Sequence, residues 1–364
     1  MRVLFAGGGT GGHLYPALAV ADALRRTRPD AECAFVGSQR GIEARLVPQN
    51  GFVLHTIRGS GFRRMGLAGR VRAFAGMTVG IVQALWLVGR WKPDVVVATG
   101  GYASLATGIA AAILRRPLLV QEQNSVPGLV NRLLGRMARE VHVAFRGCER
   151  WFRRPVHLTG NPLREEILHP PPPLAGLPAG VPVVLVVGGS RGARSINNAV
   201  AEAIPLLAAT TRLHWLWQTG ELDHARLAPA WSAAPGVQMR AYFDDVAAAL
   251  VAASLLVCRS GAMTLAEITA LGKPAILVPF PGAVDDHQTA NARELVDAGA
   301  AILLPDAELS GERLAREVGA LIADPERLRR MGEASARLAR PQATDELVAA
   351  IDRQAGQQRR GGSS

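Results

Sequence analysis

The stretch VLFAGGGTGG at residues 3–12 decides the fold of this chain, because a short apolar run leads directly into a glycine-rich turn. A continuous apolar run is typical of a strand that is buried on both faces of a parallel sheet. Apolar residues at helical spacing between positions 14 and 24 predict a helix after the turn. The same arrangement returns half a chain length later as VVLVVGGSRGA at residues 183–193. Each half of the chain therefore opens with a predicted strand, glycine turn and helix.

Further apolar runs predict more strands, and helical patterns separate most of them. The runs lie at residues 33–36, 95–98, 118–120, 215–218, 255–258 and 275–278. Alternation of strands and helices favours parallel, doubly wound sheets. We therefore predict an α/β fold of two tandem Rossmann-like domains with an interdomain cleft.

Four consecutive prolines at residues 170–173 divide the chain, because such a run cannot continue a helix or a central strand. The predicted organisation is an N-terminal domain over residues 1–164, a stiff linker over 165–180 and a C-terminal domain over 181–340. A C-terminal helix follows at 341–353. The last stretch, residues 354–364, is rich in Gln, Arg, Gly and Ser, and we expect it to be disordered.

The composition bounds the class of protein. A chain of 364 residues with 49% hydrophobic and 20% charged residues can form two cores, which excludes a mainly disordered chain. No apolar run reaches the roughly 18 residues that cross a bilayer, and the first residues become glycine-rich too early for a signal peptide. Cys33, Cys148 and Cys258 form no CxxC pair, so we expect a reducing cytoplasm, no disulfide framework and no structural zinc site.

The net charge of +11 comes almost entirely from arginine, since Lys92 and Lys273 are the only lysines. Arginine suits nucleic acid, anionic lipid or a diphosphate, although for most of these arginines genome composition or growth temperature is the favoured explanation. Aromatic residues make up 5% of the chain, and no basic run is interleaved with them. We therefore expect no nucleic-acid partner.

The first glycine turn suits a phosphate, because backbone N–H groups at a helix N-terminus attract anions. Its Gly7-x-Gly9-x-x-Gly12 spacing matches the dinucleotide fingerprint. An NAD site also needs an acid after the second strand, but Asp30 and Glu32 precede that strand. The oxidoreductase hypothesis is therefore weak, and the lysine of a P-loop is absent as well.

The second half contains a strand, a turn of small residues and a helix start at residues 255–268. This turn suits a diphosphate, and Glu267 could bind both hydroxyls of a ribose. The spacing of Thr264 and Glu267 is also that of a capping box, and on spacing alone the capping box is favoured.

Three other polar groups follow predicted turns or strands. His13 closes the first glycine turn and could act as a general base, since imidazole ordinarily titrates at about pH 6.5, or could bind backbone or phosphate. Residues 122–124 place an acid and two amides after a strand. Residues 285–291 begin Asp-Asp-His, but no second ligand group supports a metal.

Taken together, these motifs resemble a family of bacterial enzymes, the inverting peptidoglycan GlcNAc transferases of GT-B fold. The motifs run in the expected order from residue 8 to residue 292. They are Gly8-Gly9-Thr10-Gly11-Gly12-His13-x-x-Pro16, Thr99-Gly100-Gly101-Tyr102, Glu122-Gln123-Asn124, Gly160-Asn161-Pro162-x-Arg164, Gly188-Gly189-Ser190-x-Gly192-Ala193-Arg194, Cys258-Arg259-Ser260-Gly261-Ala262 and His287-Gln288-x-x-Asn291-Ala292.

The resemblance implies transfer of GlcNAc from UDP-GlcNAc to the C4 hydroxyl of the muramoyl sugar of lipid I, the undecaprenyl-diphosphate-linked acceptor. It implies no cofactor and no metal, and His13 as the base. The implied acceptor-side residues are Gly101, Tyr102 and Glu122. The implied UDP-GlcNAc-binding residues are Thr10, Gly11, Gly12, Asn124, Arg164, Ser190, Phe243, Ala262, Met263, Thr264, Leu265, Glu267 and Gln288.

In this assignment Phe243 meets the uracil, Glu267 the ribose, and Ser190 and Arg164 the diphosphate. Asn124 and Gln288 meet the GlcNAc hydroxyls. The turn at residues 10–12 faces the transferred sugar and the acceptor's diphosphate.

A lipid-linked acceptor implies a peripheral enzyme on the cytoplasmic face of the cell membrane, with the N-terminal domain facing the anionic bilayer surface. Arg63, Arg64, Arg70 and Arg72 lie beside apolar residues in the segment 62–92, which suits such a surface. A buried helix with a solvated basic start fits the same pattern. The resemblance also leaves room for partners among cell-wall enzymes.

Other functions compete with this one. A GT-B transferase for another lipid or a natural product shares the donor motifs, and a UDP-GlcNAc 2-epimerase shares the two-domain layout. A nucleotide-sugar-binding regulator would have no use for His13.

Overall fold

The computed structural model describes residues 1–58, 67–189 and 192–361, and for residues 67–75 it describes the backbone alone. The chain divides into a first domain, residues 1–164 with 340–364, and a second domain, residues 165–339. Each domain is built on its own parallel sheet, of seven strands in the first and six in the second. This confirms the predicted α/β fold of two Rossmann-like domains.

The strands are β1 (Arg2–Gly7), β2 (Glu32–Gly37), β3 (Val53–Thr56), β4 (Val95–Gly100), β5 (Leu118–Glu122), β6 (Glu140–Val143), β7 (His157–Leu158), β8 (Val183–Val187), β9 (His214–Gln218), β10 (Val237–Arg240), β11 (Leu255–Cys258), β12 (Ala275–Leu277) and β13 (Ala301–Leu303).

The α-helices are α1 (Gly11–Thr27), α2 (Glu43–Gln49), α3 (Leu67–Trp91), α4 (Tyr102–Ile113), α5 (Leu129–Leu134), α6 (Glu165–Leu168), α7 (Arg194–Ala208), α8 (Glu221–Trp231), α9 (Val246–Ala252), α10 (Ala262–Ala270), α11 (His287–Asp297), α12 (Gly311–Ile322), α13 (Pro325–Arg337) and α14 (Ala343–Gly361).

The strand order places both glycine turns at the same point of their sheets. The first sheet runs β3-β2-β1-β4-β5-β6-β7 and the second runs β10-β9-β8-β11-β12-β13. In each sheet the order reverses beside the first strand, β1 or β8, and each of these strands leads into a glycine turn. Open parallel sheets bind ligands at the carboxyl ends of their strands beside this reversal.

The packing of β1 explains its unbroken apolar sequence. Val3 and Phe5 belong to the core cluster formed with α1 and α14, whereas Leu4 and Ala6 belong to the cluster formed with α3 and α4. All four side chains are fully buried. Since neighbouring residues of a strand face opposite sides, a sheet covered on both sides requires apolar residues at every position.

The sequence predicted the central strands and missed those near the margins. The predicted strands lie within β2, β4, β5, β9 and β11, and the sixth overlaps β12. The strands that were not predicted are β3, β6, β7, β10 and β13, which lie at or next to a sheet edge. The edge strands β3, β7 and β10 have partly exposed residues, and polar residues interrupt their apolar pattern. Strand β13 lies within an apolar run at residues 300–304 that the prediction missed.

The C-terminal helix extends further than the sequence predicted. Helix α14 continues to Gly361, so the expected disorder of residues 354–364 is wrong for 354–361. The helix belongs to the first domain, where Ile351 and Ala355 are buried in the core cluster of α1. Arg359 donates to Asp94 over 3.1 Å. A Gln- and Arg-rich composition indicated disorder, but one apolar face packed on the domain is enough to hold the helix.

Residues 165–180, expected to form a linker, begin with α6 and lie with the second domain. The Leu174 N–H donates to the Ala248 carbonyl over 3.2 Å. In the part of the chain that the structure describes, no helix is both long enough and apolar enough to cross a membrane.

Candidate active site

The first glycine turn joins β1 to α1 and sets the start of that helix. Thr10 occupies the N-cap position with an extended backbone, and its carbonyl accepts the N–H groups of His13 and Leu14, both over 3.3 Å. Gly9 has φ +80°, a conformation that favours glycine. The turn therefore brings His13 into the first turn of the helix, at the carboxyl end of the sheet.

The His13 imidazole is held between a glycine and an amide. A Cβ on Gly100 would lie 2.7 Å from His13 Cε1, so the ring packs directly on the backbone of β4. Nδ1 of His13 lies 2.9 Å from Oε1 of Gln123. Gln123 is buried, and its Nε2 donates to the carbonyls of Thr99 and Gln121 over 2.9 and 3.0 Å.

These contacts fix the tautomer of His13. Because Nε2 of Gln123 faces two carbonyls, its Oε1 must be the atom that faces the imidazole, and a carbonyl oxygen can only accept. Neutral His13 therefore carries its proton on Nδ1 and presents the lone pair of Nε2. The sequence named the motif that contains Gln123 but gave this residue no role.

The Glu122 carboxylate is held by hydrogen bonds within the first domain. The carboxylate is buried and accepts from the backbone N–H groups of Asn124 and Gly128, over 2.9 and 3.1 Å, and from Asn131 Nδ2 over 2.8 Å. Both oxygens thus face donors of the protein itself. These hydrogen bonds hold the loop that carries Asn124, and the acceptor-side role of Glu122 stays a prediction.

Gly101 and Tyr102 also serve the first domain's own packing. A Cβ on Gly101 would lie 2.8 Å from the Gly8 carbonyl oxygen, so this glycine permits close contact between two loops. The Tyr102 hydroxyl lies 2.8 Å from the carbonyls of both Arg58 and Gly76, to one of which it can donate. Burial raises the pKa of Tyr102. The hydroxyl contact with Gly76 connects Tyr102 to α3, and the acceptor-side role of Gly101 and Tyr102 stays a prediction.

Glu43, which the sequence analysis missed, contacts the first glycine turn. Its carboxylate accepts the Gly9 N–H over 2.9 Å, and the Ser38 N–H and hydroxyl over 2.8 and 2.7 Å. Burial alone would raise the pKa of Glu43, but these hydrogen bonds outweigh it and lower the pKa. No sequence spacing signals this contact, because β2 and its loop separate Glu43 from the turn.

The second glycine turn joins β8 to α7 and borders an open pocket of about 540 Å³. Gly192 has φ +75°, and a Cβ there would lie 2.1 Å from the Thr219 carbonyl oxygen. Ser190 lies outside the described residues. The residues lining the pocket include Gly188, Gly189, Gly192, Arg194, Ser195, Arg259, Thr264, Phe280, Gln288 and Asp306.

Of the lining residues that the structure describes, Arg194, Arg259 and Asp306 are the charged ones, so this lining is net positive. Arg259 lies 2.5 Å from Asp306 through Nη1 and donates to the Ser195 hydroxyl over 2.8 Å through Nη2. Arg194, whose side chain is 73% exposed, contacts Asp223 through Nε at 3.3 Å. Burial alone would raise the pKa of Asp223, but Arg226, Asn197 and Arg194 together lower it.

Helix α10 contradicts the capping-box explanation of Thr264 and Glu267. The helix begins at Ala262 with Gly261 as N-cap, so Thr264 lies in the first turn and cannot be the cap. Thr264 lines the pocket, whereas Leu265 is buried in the core. The structure thus places residues 262–267 along the helix start that borders the second glycine turn.

The remaining predicted residues divide between the domains. Phe243 is buried in the second domain, where its N–H donates to Gln218 over 3.1 Å. Gln288 lines the pocket and accepts the Phe280 N–H over 2.9 Å. Arg164 belongs to the first domain, as do residues 10–12 and Asn124. Among the described residues, no three His, Cys, Asp or Glu side chains converge as a metal-binding group would.

Comparison with known proteins covers both domains. Residues 3–143 match the N-terminal domain model of glycosyltransferase family 28, and residues 183–347 match the C-terminal domain model. A protein of Anaeromyxobacter sp. (strain K) is 43% identical over 96% of this chain and 91% of its own length. A protein of Chlorobium luteolum is 43% identical over 96% of this chain and 98% of its own length. Both are named UDP-N-acetylglucosamine--N-acetylmuramyl-(pentapeptide) pyrophosphoryl-undecaprenol N-acetylglucosamine transferase.

Solved structures agree with this match. MurG of Acinetobacter baumannii superposes with a TM-score of 0.81 at 31% identity, covering 97% of this chain and 99% of that one. A putative UDP-N-acetylglucosamine 2-epimerase from Listeria monocytogenes has a TM-score of 0.70 at 15% identity, covering 96% and 95%, and at this identity shows the fold alone.

Proposed function

Because the chain belongs to glycosyltransferase family 28, we propose that it transfers GlcNAc from UDP-GlcNAc to the C4 hydroxyl of lipid I, forming lipid II for peptidoglycan synthesis. The observation that carries this function is whole-length relatedness: relatives named for this reaction are 41–43% identical over 95–98% of the chain. The enzyme is an inverting N-acetylglucosaminyltransferase with the two parallel-sheet domains of the GT-B fold.

We assign the donor's diphosphate mainly to the second domain. The pocket beside the second glycine turn combines the N-termini of α7 and α10 with Arg194 and Arg259, and this positive charge suits both bound UDP-GlcNAc and departing UDP. Ser190 and the Thr264 hydroxyl would bind phosphate oxygens, Glu267 the ribose and the Phe243 backbone the uracil. Arg164 of the first domain is assigned to the same diphosphate.

We assign proton transfer to His13 in the first domain. Its Nδ1–H is directed at Gln123, so Nε2 is the atom that accepts the proton of the C4 hydroxyl. The hydroxyl oxygen attacks the anomeric carbon of GlcNAc as the bond from that carbon to UDP breaks, and the configuration inverts. The proton ends on His13 and the electron pair leaves with UDP. Residues 10–12, Asn124 and Gln288 bind the sugar.

Helix α3 supports a peripheral position on the anionic membrane surface. Ala84, Leu87 and Val88 are buried in the first domain's core, whereas Val82 and Trp86 are 60% and 66% exposed. Arg90 lies over the Trp86 ring at 5.7 Å. The exposed face of α3 therefore suits the proposed membrane contact, while the opposite face is buried as in an ordinary core helix. Arg63 and Arg64, and the side chains of Arg70 and Arg72, lie outside the described residues.

Co-sedimentation with anionic liposomes tests the membrane surface. Val82→Glu with Trp86→Glu should abolish binding, whereas Leu222→Glu, at an exposed position of the second domain, should leave binding unchanged. Equal binding by the wild-type protein, the Val82→Glu/Trp86→Glu protein and Leu222→Glu would exclude α3 as the membrane contact.

Release of UDP from UDP-GlcNAc, with and without a soluble lipid I analogue, tests the reaction. We expect acceptor-dependent release of UDP and a disaccharide product by mass spectrometry. Formation of UDP-ManNAc without acceptor would indicate an epimerase instead. Tight donor binding without release would mean that the acceptor is a different lipid or a natural product.

A further inference from the structure

Glu43 is a buried carboxylate that the proposed mechanism does not use. It begins α2 and is 1% exposed, although ionisable side chains are rarely buried without a partner. Its three donors come from two different loops: Gly9 lies in the turn after β1, and Ser38 lies in the loop after β2. The carboxylate therefore ties the first glycine turn to the neighbouring strand.

Three glycines make room for this carboxylate: Gly8 in the first glycine turn, Gly37 at the end of β2 and Gly41 in the loop before α2. An added Cβ would lie 2.5 Å from Glu43 Cδ at Gly8, 2.4 Å from Cγ at Gly37 and 2.1 Å from Oε2 at Gly41. Any larger residue at these positions would displace the side chain. The space around the first glycine turn is thus shaped to hold one carboxylate of the protein itself.

The contact with Glu43 changes what the first glycine turn can bind. A phosphate in such a turn would use backbone N–H groups, but the Gly9 N–H already donates to Glu43. A second anion placed there would also lie beside a buried negative charge, which opposes its binding. The first turn is therefore anchored from within and is not an open phosphate site at Gly9.

The anchored turn leads directly to His13. Gly9 is followed by Thr10, whose carbonyl accepts the His13 N–H over 3.3 Å. The ring of His13 then meets Gly100 and Gln123, which belong to β4 and the segment after β5. An unanchored turn could shift the start of α1 relative to these two partners.

We propose that Glu43 is a positioning residue for the transfer reaction: its carboxylate fixes the first glycine turn and, through Thr10, the placement of His13. This inference rests on the proposed role of His13 as base. Glu43 itself touches neither substrate, so its loss should lower kcat and leave the binding of UDP, whose uracil, ribose and diphosphate we assign mainly to the second domain, unchanged.

Glu43→Gln is the sharpest variant, because the amide keeps the shape of the side chain but turns an NH2 group towards N–H donors. We expect kcat to fall about 10- to 100-fold, with the Kd of UDP within about twofold of the wild-type value. Ser38→Ala removes one donor and keeps the carboxylate, so kcat should fall only about two- to fivefold. Glu32→Gln is the matched control, since Glu32 is an exposed residue of β2, and should be fully active.

A spectroscopic measurement separates positioning from general destabilisation. The imidazole nitrogens of His13, assigned by their loss in His13→Ala, should report a protonated Nδ1 in the wild-type protein at pH 8. In Glu43→Gln these signals should move or broaden, while those of the exposed His169 should stay unchanged. Ser38→Ala should show a smaller shift of the same kind, and it provides the test if Glu43→Gln does not fold.

Unchanged His13 signals and kcat in both variants would overturn the proposal, as would a Kd of UDP that rises in step with the loss of kcat. Full activity of His13→Ala would instead refute the proposed base. In that case the nitrogen signals still decide whether Glu43 places His13.

Discussion

The two glycine turns of this molecule begin from the same sequence pattern and differ in what occupies the space beside them. The first, after β1, encloses the Glu43 carboxylate, which accepts the Gly9 N–H over 2.9 Å. The second, after β8, borders an open pocket of about 540 Å³ that Arg194 and Arg259 line. One turn therefore faces a negative charge from within the domain, and the other faces positive charge.

The difference shows that a glycine turn before a helix is not by itself a phosphate site. The helix dipole and the backbone N–H groups favour an anion in both domains. In the first domain the protein supplies that anion itself and uses the rigid turn to place His13. In the second domain the pocket leaves room for the diphosphate of a nucleotide sugar.

The largest effect is expected from His13→Ala. Loss of a general base typically costs between 100- and 10,000-fold in rate, so kcat should fall by about that factor while the Kd of UDP stays near the wild-type value. Steady-state kinetics and calorimetric titration of UDP measure the two quantities. His169→Ala, at an exposed histidine, is the control. Parallel loss of UDP binding in His13→Ala would show that the first turn also binds the donor.

A smaller effect is expected from Gly100→Ala, which tests whether the position of the His13 ring against Gly100 matters for the rate. The new Cβ would lie 2.7 Å from the imidazole at a φ of +119°, so the ring must move. A displacement of about 1 Å can lower a rate by up to about 100-fold. Gly147→Ala introduces a left-handed alanine with no atom within 4 Å and controls for backbone strain. If both variants lose kcat equally, the position of His13 is not the cause.

Arg194→Ala tests the charge of the second turn. Removing one charge-assisted contact to a phosphate should weaken UDP binding by about tenfold, as measured by calorimetry. Arg226→Ala is a closely matched control, because Arg226 also contacts Asp223, at 3.1 Å, but is not among the residues lining the pocket. Equal weakening by both variants would assign the effect to Asp223 and not to the pocket.

The smallest effect concerns stability and acid pH. The pKa of Glu43 in the folded protein lies below its ordinary value of 4.5, so the stability it contributes is complete above about pH 4.5 and is lost as the pH falls through the folded value. Wild type should therefore exceed Glu43→Gln in unfolding free energy at pH 7, by less at pH 3.5. Urea titrations at the two pH values measure this. A difference that stays constant would show that the charge of Glu43 contributes nothing.

The sequence predicted the fold better than the site, for a physical reason. Central strands such as β1 are buried on both faces, so each one is visible as an apolar run. The edge strands β3, β7 and β10 are partly solvated, so they were not recognised. The C-terminal helix was predicted, but the polar composition of its last part concealed its continuation beyond residue 353. Folding also brings together residues that are far apart in sequence, and no local pattern shows the result.

The site shows this limit at particular residues. The motifs located His13 correctly beside the first turn. They gave no sign that the Glu122 carboxylate accepts hydrogen bonds from the loop that carries Asn124. The Thr264–Glu267 spacing indicated a capping box, whereas the helix begins two residues before Thr264, at Ala262. No sequence pattern pointed to Glu43. Gly8 comes close to the Glu43 side chain, beside Gly37 and Gly41, only when β1 and β2 pair in the sheet.

Amide hydrogen exchange with and without UDP tests the division between the two turns most directly. We expect UDP to slow exchange at residues 188–195 and 259–265 and to leave exchange at residues 7–10 nearly unchanged. Protection of residues 7–10 equal to that of the second turn would contradict it, because the first turn would then bind the donor's phosphates despite Glu43.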